Sequence, residues 1–394
     1  MKINIIFRNF SGLEDSFEFK KSWNPIGSPV LINFIKYLDK KDNLQVLLID
    51  ENKYRKKFLI KKFKFENLDA PIFLINKNFF QSKSSILKIF NYLIMLSAVL
   101  FKSLYFRSNA HYVDNQNVLP GAILSLVSNN VTLRLLGAWG INFELNNSGF
   151  FSVLRKFSYS FAFKNVICSD DGSNFEKIVK KKIFPKKTCV HHLINGSEFT
   201  QFKTYSLNKR LNNKKLKILH YGRFDIDKGT HKFIKSIHSI IKKNKNIEFL
   251  IFGYGNYFSF VFNYIRKHKL QNSIKILYKQ NFKQIYKHIS SSDLYVSTNL
   301  IGSLSNSSLE VLGYGLPSIF IDTIDEKNHT LKRYLKQKYF YFSEKNFSKS
   351  LEKLIFDYYK NPYMLKLNSI NIKAKFSNKI KSWNKRIIYE RKLL

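Results

Sequence analysis

The stretch NLIGSLSNSSLEVLGYGLPSIF, residues 299–320, sets a Ser/Asn/Gly loop in front of a single carboxylate, Glu310, and runs on into an apolar segment broken by Gly-x-Gly-x-Pro. Two readings of Glu310 stay open. It is a helix first-turn acid, with Ser307 or Ser308 as cap and the helix dipole as partner, or it is a group held at the lip of a binding site. The segments on either side, DLYVS (293–297) and PSIFI (317–321), read as buried strands. The loop therefore joins the carboxyl end of a strand to the start of a helix, which is where ligands bind in open parallel sheets.

Outward from this stretch the same alternation repeats. Strands KILHY (217–221), IEFLIFG (247–253) and IKILY (274–278) alternate with helices, one carrying Phe233, Ile234, Ile237, Ile240 and Ile241 on a single face and another spanning FKQIYKHI (282–289). The first half shows KINIIF as a strand, Pro29 to Leu38 as an amphipathic helix and LQVLLID (44–50) as the next strand, with NVTLRLLG (130–137), KNVICSD (164–170) and KTCVHHLING (187–196) further on. Strands alternating with helices predict an α/β architecture with mostly parallel sheets. The polar, basic YSLNKRLNNKK (205–215) separates the two series. It reads as a linker between a domain over 1–204 and a doubly wound domain over 216–369.

At 394 residues, with 44% hydrophobic and 16% aromatic residues, the composition excludes a disordered chain. Cys168 and Cys189 have no metal-ligand spacing, and MKINIIFRNF lacks a secretory signal, so a reducing cytoplasm is the expected compartment. The apolar ILKIFNYLIMLSAVLFKSLYF (86–106) has an uninterrupted core of only 13 residues, Ile89 to Phe101. A spanning helix needs about 20. A helix buried in the domain, or one lying at an interface, is expected, with the buried form ahead.

The formal charge is +40, from 67 Lys and Arg against 27 Asp and Glu. Such an excess attracts polyanions. The runs KYRKKFLIKKFKF (53–65) and KIVKKKIFPKK (177–187) interleave cations with apolar and aromatic side chains, which suits an anionic membrane surface. A biased genome rich in Lys, Asn, Ile and Phe explains part of the lysine but not the scarcity of acids. Nucleic-acid binding is the third reading, and no zinc finger, RNA-recognition signature or helix-turn-helix supports it.

Three loops of the second domain share one ligand chemistry. Gly222, Arg223 and Lys228 stand in YGRFDIDKG (221–229), Gly253 in FGYGN (252–256), and Ser305, Asn306, Ser307 and Glu310 in the opening stretch. An Arg fork and a Lys point charge beside a helix start suit a diphosphate. The Ser/Asn groups add amides and hydroxyls, and Glu310 offers a carboxylate to ribose hydroxyls. A diphosphate flanked by sugars is a nucleotide sugar. The residues of the Asp114-Asn115-Gln116-Asn117 segment read as a simple polar loop or as an acceptor contact, and the histidines as structural.

GRFDIDKG, IFGYG and SNSSLEVLGYGLPSI resemble, in order and separation, the signature loops of family 4 retaining glycosyltransferases of the GT-B fold. Looser similarity covers the chain from about residue 110, including a terminal helix within 370–394 that in the family crosses back to the first domain. The resemblance implies two Rossmann-like domains facing a central cleft, the first binding the acceptor and the second the nucleotide sugar. It implies Arg223 and Lys228 as catalytic groups on the donor diphosphate, and Glu310 on the ribose. Gly222, Gly253 and the Ser305–Ser307 backbone would also touch the donor. No metal or other cofactor is expected, because the two side chains and a helix dipole supply the positive charge. The implied activity is sugar transfer to a lipid-linked, polysaccharide or lipopolysaccharide acceptor, on a peripheral protein at the inner face of the plasma membrane.

Two departures from the family pattern stand out. Gly302 occupies the position where the family commonly has a first glutamate, and Leu136 precedes Gly137 where a histidine is often found. Trp139 and Asn142 follow closely and read as structural. A sugar-binding relative without turnover is therefore an alternative to an active enzyme.

Overall fold

Strand β1 (Lys2–Arg8) buries Ile3 to Phe7 without a break, and β2 (Asn43–Asp50) buries everything from Leu44 onward. Continuous burial of this kind, polar Asn4, Gln45 and Asp50 included, belongs to strands covered on both faces, as in a parallel sheet between helices. The structure, a computed structural model, describes residues 1–9, 17, 22–23, 25, 28–50, 58–80, 84–137, 141, 145–173, 175, 183–201, 215–278, 280–323 and 329–394. Residues 205–214 of the expected linker, 53–57 and 177–182 of the basic runs, and Trp139 and Asn142 lie outside them.

The chain divides into two compact units. One comprises Met1–Ser169, Phe175–Leu193 and Asn384–Leu394; the other comprises Asp170–Asn174 and Ile194–Trp383. In the first, β1 and β2 join β3 (Ile60–Phe65), β4 (Leu68–Asn76), β5 (Ala110–Asp114), β6 (Val131–Leu135), β7 (Asn165–Asp170) and β8 (Cys189–Ile194) in the order β3-β4-β2-β1-β5-β6-β7-β8. The pairs from β4 through β7 are parallel. The β3–β4 pair is antiparallel and was not expected. β3 is the sheet edge, IKKFKF, and exposes Lys61, Lys62 and Lys64. Part of what read as a membrane-type basic run is thus an edge strand guarded by lysines, which discourage pairing with another chain.

Helix α1 (Pro29–Asp39) starts with proline at its first position and buries six apolar residues. On the opposite face of the sheet lie α2 (Ser85–Tyr105), α3 (Val118–Val127) and α4 (Phe150–Ser158). Here one expectation fails. Helix α2 is 21 residues long and buries only Asn91, Met95, Ala98, Val99 and Ser103. By length and composition it could span a membrane. Asn91, inside the apolar run, is accommodated because its side chain hydrogen-bonds both ways to the backbone of Phe80 (2.8 and 2.6 Å).

The second unit orders its strands β11-β10-β9-β12-β13-β14. These are β9 (Leu216–Tyr221), β10 (Ile247–Phe252), β11 (Ile274–Leu277), β12 (Leu294–Ser297), β13 (Ser318–Asp322) and β14 (Tyr341–Ser343), all paired in parallel. Helices α5 (Thr230–Lys243), α6 (Phe258–Lys267), α7 (Phe282–Ser291), α8 (Asn306–Tyr314), α9 (His329–Tyr334), α10 (Phe347–Lys360) and α11 (Tyr363–Phe376) connect and flank them. Strand α/β alternation here follows the apolar periodicity closely, and α5 buries the five-residue face anticipated for it.

Helix α12 (Trp383–Lys392) belongs, from Asn384 on, to the first unit. Its Glu390 is fully buried. The carboxylate pairs with Arg134 at 2.9 Å and with Arg386 at 2.5 Å, and accepts a hydrogen bond from the Tyr112 hydroxyl. Burial alone would raise its pKa, yet the two guanidiniums hold it below the usual carboxylate range. Arg391 adds a two-pronged bond to Asp42, each arm 2.8 Å.

Candidate active site

In a doubly wound sheet the chain runs outward from one central strand and then returns to its other side, leaving a crevice at the carboxyl ends of the two strands where the direction reverses. In the second unit β9 has β10 on one side and β12 on the other, so the reversal lies between β9 and β12. The loops that follow these two strands carry Gly222 to Lys228 and Thr298 to Ser305. They are tied together: Thr298 Oγ1 donates to Lys228 O at 2.7 Å, and the Leu300 amide to Asp227 O at 2.9 Å.

Beneath them His220 is buried, 3.0 Å from Val296 O and 3.2 Å from Thr230 Oγ1. Burial lowers its pKa to about 4. It is a neutral strut between β9, β12 and α5, in line with the structural reading of the histidines.

Arg223 and Lys228 are held by acids of their own loop. Arg223 Nη1 lies 3.0 Å from Asp225 Oδ2, while Asp227 Oδ2 sits 4.0 Å from Arg223 Nη2 and 3.1 Å from Lys228 Nζ. Lys228 Nζ also donates to Ile301 O at 3.4 Å. Arg223 is more than half exposed and Lys228 largely covered. The loop thereby contains an Asp-x-Asp triplet, Asp225-Ile226-Asp227, which the expectation of a metal-free site left out of account. Its carboxylates face the two cations and fix their positions.

Gly253 brings the β10 loop against the β9 loop. At φ +156°, a Cβ there would lie 1.7 Å from Gly222 O. Only a residue with no side chain permits this approach. A Cβ on Gly222 would in turn come within 3.4 Å of Ser307 Oγ, so the start of α8 faces the same backbone.

Helix α8 is capped by Ser305, whose Oγ accepts from the Ser308 amide at 3.3 Å. Ser305 Oγ also contacts the hydroxyls of Ser307 (2.9 Å) and Ser308 (3.1 Å) and accepts from Asn299 Nδ2 at 3.0 Å. Asn306 Oδ1 accepts from Asn195 Nδ2 at 3.1 Å. The cap is therefore neither Ser307 nor Ser308, and no acid occupies the first turn. Glu310 sits deeper, and its Oε2 accepts from the Tyr221 hydroxyl at 2.5 Å. Desolvation raises its pKa to about 7, against the opposing effect of that bond. Tyr221, stacked on Phe252 at 4.5 Å, was not singled out in the sequence. Its place directly before Gly222 was the available signal.

Gly302 explains its own departure from the family pattern. It has φ +71°, and a Cβ there would meet Asp171 O at 2.9 Å. A glutamate at this position would need both segments to move.

The first unit has its own reversal, between β1 and β5. Asp114, at the end of β5, is buried. It accepts from the Arg8 amide at 3.0 Å and, at its other oxygen, from the Asn117 amide (3.1 Å) and Nδ2 (2.7 Å). Desolvation outweighs these bonds and raises its pKa to about 6. Asn9, just past β1, donates to Asp50 Oδ1 at 3.1 Å. The polar segment 114–117 is thus a 3₁₀ turn capped by Asp114. Leu136, in the β6 loop, is 41% exposed.

Both units thus share one architecture at low sequence resemblance to solved structures. The HepE protein of Anabaena, solved with UDP-glucose, aligns over 99% of this chain and 100% of its own at 15% identity and a TM-score of 0.67. WaaG, a glycosyltransferase involved in lipopolysaccharide biosynthesis, aligns over 99% of each chain at 10% identity and a TM-score of 0.61. The fold is GT-B. Residues 202–372 match the family described as Glycosyl transferases group 1, so this is a GT-B protein with a group 1 glycosyltransferase domain. An uncharacterized glycosyltransferase of Methanocaldococcus jannaschii is 25% identical over 226 residues. That match spans about half the length of either protein, 54% of each.

Proposed function

We propose that this chain is a retaining glycosyltransferase that moves a sugar from a nucleoside-diphosphate sugar to a lipid-linked or glycan acceptor at the cytoplasmic face of a membrane. The observation that carries this reading is the pairing, at one strand-order reversal, of a fixed Arg223–Lys228 cation pair with the Glu310 carboxylate across the β9 loop. The diphosphate would displace Asp225 and Asp227 as partner of the two cations. The amides at the start of α8 would supply further donors, and Glu310 would take the ribose hydroxyls now replaced by the Tyr221 hydroxyl. As the bond between the anomeric carbon and the phosphate oxygen breaks, its electron pair stays on the leaving diphosphate. Positive groups already in place stabilise that charge without reorganising, and loss of one such group typically costs about a hundredfold or more. The acceptor oxygen bonds to the same face of the anomeric carbon and passes its proton to the departing phosphate oxygen. The cation pair and helix terminus suffice for the charge, so turnover in excess EDTA is expected.

Thermal unfolding with UDP, GDP, ADP, CMP and their sugars, on native protein and on Glu310→Ala, tests the donor site. A ligand that binds the folded state raises the unfolding temperature. One nucleotide should stabilise the native protein and lose its effect in the variant. Stabilisation by none, in folded protein, would overturn the reading, and binding without donor consumption would leave a sugar-binding relative without turnover.

A further inference from the structure

Helix α2 is amphipathic the wrong way round for a helix in water. Its polar Asn91 and Ser103 face the sheet, Asn91 bonded to Phe80 and Ser103 Oγ bonded to Val99 O (2.7 Å) and to Asn4 Nδ2 (2.8 Å). Its large apolar side chains face out. Ile86 is 78% exposed, Phe90 49%, Leu93 52%, Phe101 62%, Leu104 54% and Tyr105 77%. Their spacing follows one stripe along the full length of the helix.

The stripe does not stand alone. Helices α3 and α4 cover the same sheet face, and α4 adds exposed Phe150, Val153 and Phe157 at helical spacing, with Tyr92 of α2 against Phe151 of α4 at 5.3 Å between ring centres. Leu126 and Val127 at the end of α3 are each 69% exposed. A continuous apolar face of this kind marks an interaction site.

Charge selects the occupant. From Lys77 to Ser169 the sequence has nine lysines and arginines and only two acids, Asp114 and Glu144. Asp114 is buried and Arg134 is engaged inside the unit. The remaining cations include Lys88 and Arg107 near the two ends of α2, both exposed, and Lys156 on α4. Lys62 and Lys102 both stand over the Phe73 ring, at 5.9 and 4.6 Å. Apolar rings and leucines rimmed by cations, with no acid on any of the three helices, match the boundary of an anionic bilayer, where apolar groups enter the acyl region and lysines reach the phosphates. One face of α2 is committed to the core, so the helix lies flat and does not cross.

We propose that the α2–α4 face of the first unit seats this protein on an anionic lipid surface, deepening the reading above by naming the face that brings it to a lipid-linked acceptor. Sedimentation with vesicles of phosphatidylcholine, alone or mixed with phosphatidylglycerol, tests it. Native protein should sediment with the mixed vesicles, and part of that binding should survive high salt, because the apolar contribution is not screened as charge is. The double variant Phe101→Ser, Leu104→Ser should bind about a hundredfold or more weakly. Lys88→Glu with Lys156→Glu should weaken binding to the mixed vesicles only. No binding by native protein, equal binding by the apolar variant, or complete release by salt would each overturn the proposal. A native dimer by light scattering that the apolar variant turns into monomer would assign the face to a second copy and overturn it as well. UDP-induced thermal stabilisation on the same samples separates the two readings. Retained stabilisation with no vesicle binding removes this proposal alone, and the reverse removes the donor site alone.

Discussion

The two units reverse their strand order in the same way and finish the crevice differently. Between β9 and β12 the loops carry charge held in place by neighbouring charge, the exposed Arg223 and the largely covered Lys228 fixed by Asp225 and Asp227. Between β1 and β5 the corresponding position holds Asp114, buried and, among the described residues, satisfied by the Arg8 and Asn117 amides and Asn117 Nδ2. Among the described residues, one crevice carries paired cations that suit the diphosphate proposed above, and the other a carboxyl already satisfied by amides. Topology places a site, and side-chain chemistry decides what enters it.

The largest expected effect tests whether the first unit depends on its returning helix. Glu390→Gln leaves Arg134 and Arg386 buried without their anion and should cost about 3–5 kcal/mol, read from urea unfolding. A loss below about 1 kcal/mol would mean the cluster relaxes into solvent.

Next comes the charged crevice. Lys228→Ala should lower turnover about a hundredfold or more with little change in unfolding. A similar drop for Asp114→Asn would erase the proposed contrast between a catalytic and a binding crevice.

Asp114 itself predicts a pH effect. Its folded pKa, about 6, is raised above the ordinary 3.8. The folded state therefore holds the proton more tightly, and the stability linked to it is fully present below about pH 4 and lost as pH rises through 6. Asp114→Asn should remove this dependence, worth on the order of 2–3 kcal/mol between those limits, as measured by unfolding at a series of pH values. A parallel pH profile for native and variant would show that the carboxyl is hydrated.

The smallest effect belongs to Glu310. With a pKa of about 7, a nucleotide that needs the ionised carboxylate should bind about tenfold more tightly at about pH 8 than at about pH 6. Glu310→Gln should flatten that profile in calorimetric titration. An unchanged slope would place the ribose elsewhere.

Much of the fold was legible because apolar periodicity reports burial directly, and burial on both faces is what parallel strands require. The second unit, with its regular alternation, could be read nearly strand by strand. The β3–β4 pair was hidden because an edge strand that defends itself with Lys61, Lys62 and Lys64 loses the apolar alternation that would announce it. Helix α2 misled for a related reason. An apolar run signals that water is avoided, and it does not say whether protein or something else replaces the water.

At the candidate site, residue types suggested Arg223, Lys228 and Glu310, whereas the partners that orient them could be found only in three dimensions. Ser305 as cap, Tyr221 as the proton donor to Glu310, and the steric demand at Gly302 all depend on backbone conformation. The Glu390 cluster is still less accessible to sequence reading, its tyrosine lying 278 positions earlier in the chain.

That separation imposes an order on biosynthesis. Domains commonly fold from the N-terminal side as the chain emerges from the ribosome. Here Arg134 and Tyr112 are made early, but the carboxylate that neutralises their pocket arrives only after the whole of the second unit has been translated. The first unit to be synthesised is thus the last to be completed, and until Glu390 docks, Arg134 on its central sheet lacks its anionic partner.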